Sequence, residues 1–179
     1  MTEAELEKIF SVRFEEGCAN EWGDLLLDRE LFDAAMNLAV RPAKGVIPFR
    51  ASYALERAFL KAPERFESYY GRFVADFSEA KHPSVWRHYG KIMAMLLKAK
   101  KLDLTEEQAN VIAETAVMRL VDETIPVGAR VWSLDILYYL RKRLPWIDEE
   151  LPEIIDNLKI APTPAMISRL RRFGWMKRG

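Results

Sequence analysis

The sequence predicts an all-α fold of about four helical hairpins, and three observations carry that expectation. His82–Lys98 reads as one buried helix: Pro83 suits a first helical turn, and Val85, Tyr89, Ile92 and Leu96 recur at spacings of 4, 3 and 4. Three further stretches, Ile47–Ala62, Ile125–Leu144 and Thr163–Gly174, look like reworked copies of it. Their prolines (Pro48, Pro83, Pro126 and Pro164) lie 35, 43 and 38 residues apart. Finally, the apolar/polar alternation that a half-buried strand needs is missing throughout.

In chain order, Thr2–Phe14 is an amphipathic helix, with Thr2 and Glu5 spaced as a capping box. Residues 1–20 form an N-terminal cap, and Gly17–Gly23 breaks the helix. Asp24–Val40 is one further helix, with Leu27, Leu31 and Leu38 facing inward. Arg41–Gly45 is a loop, and Phe49–Ala62 is the first proline-started helix. Pro63 opens a helix to about Ala80, with Phe66, Tyr70, Phe73 and Phe77 on one face. Its short turn implies an antiparallel hairpin. After the His82–Lys98 helix, Thr105 is an N-cap, with Glu106 and Glu107 in the turn that favours acids. That helix runs to about Asp122 and is followed by Val127–Leu144. Pro145 and Pro152 punctuate a link to a short helix, Leu151–Leu158. Pro164 starts the last helix, Gly174 ends it, and residues 175–179 are a tail.

Composition narrows the classes. The 179 residues are half hydrophobic, enough for one compact domain spanning 1–179. Lys plus Arg and Asp plus Glu both number 27, so net charge points to no partner. A single cysteine, Cys18, excludes an intrachain disulfide and a cysteine zinc cluster. The acidic, polar start is unlike a secretory signal, and no uncharged apolar run approaches membrane-spanning length. A cytoplasmic protein that engages no membrane is the expectation.

The period and content of residues 24–174 resemble the HEAT and armadillo helical-repeat families, in which each hairpin needs its neighbours to bury its faces. The resemblance implies a right-handed α–α superhelix and specifies no activity. HEAT repeats commonly carry an aspartate shortly before the arginine, forming a ladder between repeats. Arg50, Arg87 and Arg130 have none in the five residues before them. Trp132 and Asp135 resemble the tryptophan and aspartate of HEAT-type DNA alkylation-repair glycosylases, although no wider motif matches.

The neutral total conceals segregated charge. The more polar helical windows (22–39, 64–80, 105–123 and 148–159) hold 18 acids and 5 bases. The proline-started windows (48–62, 83–98, 126–144 and 164–179) hold 2 acids and 15 bases. In HEAT-like arrays the second helices line the concave face. The resemblance therefore implies a basic inner surface built from Arg50, Arg57, Arg87, Lys91, Arg130, Arg169 and Arg172. Trp86 and Trp132 are its aromatic candidates, either as stacking surfaces or as core. Such a surface attracts acidic protein segments or nucleic-acid phosphates. A structural alternative stands beside this one: helix dipoles favour acids early and bases late in helices. Arg50, Arg87 and Arg130 run against that account, because they sit near helix starts.

No catalytic pattern emerges. His82 and His88 lack a metal-ligand partner in register. There is no G-x-S-x-G elbow, P-loop or G-x-G-x-x-G, and no glycine-serine-serine-x-methionine loop of the fumarase type. No cofactor is implied. The expected role is a non-catalytic scaffold that binds a protein partner on a basic face; the alternative is a nucleic-acid-binding protein related to the alkylation-repair glycosylases. The residues do not specify an oligomeric state.

Overall fold

The computed structural model describes residues 1–12, 15–42 and 45–177, and these hold helices and no strand. In order they are α1 (Glu3–Ser11), α2 (Cys18–Arg29), α3 (Phe32–Val40), α4 (Ile47–Lys61), a 3-10 helix (Pro63–Tyr69), α5 (Tyr70–Glu79), α6 (Pro83–Lys98), α7 (Glu106–Val121), α8 (Val127–Leu140), α9 (Pro145–Leu158) and α10 (Pro164–Arg172). The expected ends at Phe14 and Gly179, and part of the 41–45 loop, lie outside the described residues. Among those described, no helix is long and apolar enough to cross a membrane.

The chain divides into two compact units, Met1–Ile92 and Met93–Gly179. The first is assembled around α4, against which α1, α2, α3 and the 3-10 helix pack. The reason is the content of α4. Ala51, Ala54 and Ala58 are small and buried, so neighbouring backbones come close. Gly23 of α2 shows how close: a Cβ built there would lie 2.8 Å from Cβ of Arg57 and 3.0 Å from the Ala58 backbone nitrogen. In the second unit α8 packs against α7 and α10, burying Val131, Leu134, Leu137 and Leu140.

Helix starts follow local chemistry. Thr2 and Glu5 form the expected capping box, at 2.8 and 3.2 Å. Thr105 forms a second one, with Gln108, at 2.9 and 3.1 Å.

Four expectations are corrected. Gly17–Gly23 is not a break: Gly17, at φ 92°, precedes α2, and Gly23 lies inside it. Residues 24–40 are not one helix, because Glu30 adopts a left-handed φ of 54° and the Leu31 N–H closes onto the Leu26 carbonyl at 3.0 Å. Pro152 does not end a link; α9 runs through it from Pro145. Trp175 is not part of a loose tail, since its ring lies 5.2 Å from Phe173 and 5.6 Å from Tyr138.

Candidate functional site

The sequence-predicted arginines meet different fates, decided by the carbonyls and rings within reach. In the first unit, Arg50 is buried, and its Nη1 donates to the carbonyls of Phe10 and Val12, both at 2.5 Å. These carbonyls close the C-terminal end of α1, where a cation is favoured. In the second unit, Arg130 Nε donates to the Leu120 carbonyl at 2.9 Å, at the end of α7. Trp86 does the same for α5, donating from Nε1 to the Ala80 carbonyl at 2.5 Å. Three side chains from the first turns of proline-started helices thus cap the C-terminal ends of other helices. That explains Arg50 and Arg130 at helix starts, where the dipole of their own helix disfavours them.

The remaining first-unit candidates surround a buried cluster that the sequence reading missed. Ser52 and Glu56, one turn apart on α4, face His88 of α6. Ser52 Oγ lies 2.9 Å from His88 Nδ1 and 2.9 Å from the Phe49 carbonyl. Glu56 accepts from Lys91 Nζ at 2.6 Å, and its other oxygen is 3.8 Å from His88 Nε2. Tyr53 stacks on His88, with centroids 5.0 Å apart and planes at 4°. Arg57 lies over that tyrosine and donates to its hydroxyl at 2.7 Å. Burial holds the His88 imidazole down at about 3, with Arg87, Lys91 and Arg57 pushing the same way. The order serine, histidine, glutamate is that of a hydrolase triad, but Ser52 is fully buried and its hydroxyl is spent on a backbone carbonyl. The cluster holds α4 to the start of α6. Its ligands are 36 and 32 residues apart in sequence, so no local motif announces it. Arg87 is exposed and makes no ion pair or hydrogen bond among the described residues.

In the second unit the predicted residues do converge. Arg169 of α10 lies over the Trp132 ring of α8, 4.5 Å from its centroid, and its Nε is 2.7 Å from Asp135 Oδ2. Arg172 Nη1 approaches the other carboxylate oxygen at 3.6 Å. One turn further on, Arg141 lies 4.4 Å from the Tyr138 centroid and Arg172 lies 5.4 Å from that of Phe173. Tyr138 and Phe173 stack at 4.0 Å. The spacing explains the assembly: Trp132, Asp135 and Tyr139 fall on one face of α8, and Arg169 and Arg172 on the facing side of α10. Burial raises the Asp135 carboxyl to about 6, with Arg169, Arg172 and Lys98 pulling it down. The rings of Trp132, Tyr138, Phe173 and Trp175 are only half-buried, Arg172 is exposed, and Lys142 and Arg171 stand exposed beside them.

Among the described residues, no three His, Cys, Asp or Glu side chains cluster to hold a metal ion. No family model, curated protein or solved structure matches this chain.

Proposed function

We propose that this chain is a non-catalytic, HEAT-like interaction scaffold whose α8–α10 face binds an anionic partner. One observation carries the reading: three guanidinium groups on that face each lie against an aromatic ring, Arg169 on Trp132, Arg141 on Tyr138 and Arg172 on Phe173. A guanidinium held against a ring keeps N–H groups for carboxylate or phosphate and loses less rotamer freedom on binding. The one acid in this surface, Asp135, is buried beneath two arginines, so its charge is offset from within and the outer rim stays positive. Of the other predicted residues, Arg50, Lys91 and Arg130 are spent on internal partners, Arg57 lies on Tyr53, and Arg87 of the first unit stays exposed.

A second reading is favoured by the rings. Half-buried aromatics interleaved with arginines form the kind of platform on which single-stranded nucleic acid stacks its bases. The Trp132–Asp135 pair that resembles the alkylation-repair glycosylases sits in this patch. With Asp135 1% exposed and held by Arg169, the geometry favours binding over excision chemistry.

Fluorescence anisotropy with a labelled single-stranded oligonucleotide and a labelled poly-glutamate peptide tests both readings. Binding of either probe, lost in an Arg141→Glu/Arg172→Glu variant that stays folded by circular dichroism, supports the face. Preference for the oligonucleotide selects the nucleic-acid reading. No binding of either probe at low salt overturns the proposal.

A further inference from the structure

The opposite charge collects on another surface of the second unit. Helices α7 and α9 carry eight acids, Glu106, Glu107, Glu114, Asp148, Glu149, Glu150, Glu153 and Asp156, all of them exposed. Their one base, Arg119, is 2% exposed and adds little to the surface. The two helices run side by side in the same direction. Trp146 Nε1 of α9 donates to Asn110 Oδ1 of α7 at 2.8 Å, and at the far end Ile154 and Leu158 line one hollow with Val121.

Large apolar side chains stand in this acidic field. Met118 is 59% exposed, Val121 50% and Ile160 81%. Two hollows lie along the same line. One, of about 440 Å³, is floored by Val117, Met118 and Trp146 and edged by Glu114 and Glu150. The other, of about 410 Å³, is floored by Val121, Ile154 and Ile160 and edged by Glu123, with Arg130 on its α8 side. Apolar side chains this exposed, in a field that is mostly acidic with Arg130 and Lys159 its basic members, mark an interaction site rather than ordinary surface.

We propose that the α7–α9 face docks a basic amphipathic helix. The apolar side of such a helix fills the two hollows, and its lysines and arginines meet the acidic rim, as in other helix-in-groove complexes. Asn110 to Val121 spans about 16 Å at the rise of an α-helix, so an occupant of about three turns covers both hollows. The acidic rim repels an anionic lipid surface and a nucleic-acid strand, which leaves a cationic peptide as the chemistry that fits. This inference is independent of the α8–α10 reading and uses different residues.

The test uses the whole chain and two labelled amphipathic helices of about four turns, one of leucine and lysine, the other of leucine and glutamate. The leucine–lysine probe binds the wild type, and the leucine–glutamate probe does not. A Met118→Asp/Ile160→Asp variant, altered only at exposed positions, loses about tenfold or more in affinity for the leucine–lysine probe. A Glu114→Lys/Glu150→Lys variant shifts preference toward the leucine–glutamate probe. Unchanged leucine–lysine affinity in the Met118→Asp/Ile160→Asp variant overturns the proposal, as do equal binding of the two probes and no binding of either.

Discussion

Asp135 Oδ2 lies 2.7 Å from Nε of Arg169, and the aspartate side chain is 2% exposed. Two packed helices, α8 and α10, therefore meet across a carboxylate that burial alone would drive toward its neutral form. Replacing Arg169 with methionine keeps the contact on Trp132 and removes the charge. Asp135 is then left with Arg172 at 3.6 Å. At pH 7 the variant loses about 3 kcal/mol of unfolding free energy, because an ionised buried group has lost its nearer partner. The sign with pH follows. The Asp135 carboxyl is already raised and Arg169 was lowering it, so its removal raises it further. The variant takes up its proton by pH 5, and the loss shrinks there. Urea titrations at the two pH values measure the difference.

His88 supplies the opposite pH dependence. Its folded value is about 3 against an ordinary value of 6.5, so the unfolded chain takes up a proton that the folded chain refuses. Stability from this group is full above pH 6.5 and falls as pH drops toward 3. Between pH 7 and pH 5 the loss is about 2 kcal/mol. Asp135 offsets part of it, because a raised carboxyl gains stability as pH falls through 6 toward 4. The two are separated by His88→Gln, which keeps a hydrogen-bonding group for Ser52 but does not titrate. Its pH 7 to pH 5 decline is shallower than that of the wild type by about the same 2 kcal/mol.

Arg50 ties α1 to α4 through two carbonyls, Phe10 and Val12. Arg50→Met leaves both without that charged donor and costs about 3 kcal/mol. The cost is concentrated at α1. Amide hydrogen exchange over Glu3–Ser11 accelerates more than exchange over α3 or α4.

Gly23→Ala intrudes on a close approach of α2 to α4. Helix propensity alone favours alanine by about 1 kcal/mol. The new Cβ, however, meets Arg57 Cβ and the Ala58 backbone nitrogen, neither of which can rotate away. Overpacking of this kind costs about 2–3 kcal/mol, so the net effect is a loss, read as a lower thermal midpoint.

Much of the fold was legible because proline and apolar spacing act locally. Pro48, Pro83 and Pro164 sit in first turns, Thr2 caps where its spacing to Glu5 predicts, and Thr105 caps ahead of Glu106 and Glu107 as expected. Glu30 was not legible, since a left-handed turn without glycine leaves no mark in composition. Gly23 looked like a breaker because its use is tertiary: it admits α4. The site divides the same way. Trp132, Arg169 and Arg172 were singled out by charge and ring type, and the structure joins them. The use of Arg50 depends on carbonyls 38 and 40 residues away, and that of Arg130 on one 10 residues back. Nothing near either in the sequence signals those partners.

The account turns on Arg141 and Arg172 meeting an anion. The most direct test is the salt dependence of oligonucleotide affinity, compared between wild type and an Arg141→Gln/Arg172→Gln variant. Wild-type affinity is predicted to fall steeply with salt, and the variant to bind more weakly with a log–log slope shallower by about two, one for each lost phosphate contact. Equal affinity and equal slope in the two proteins would contradict the account.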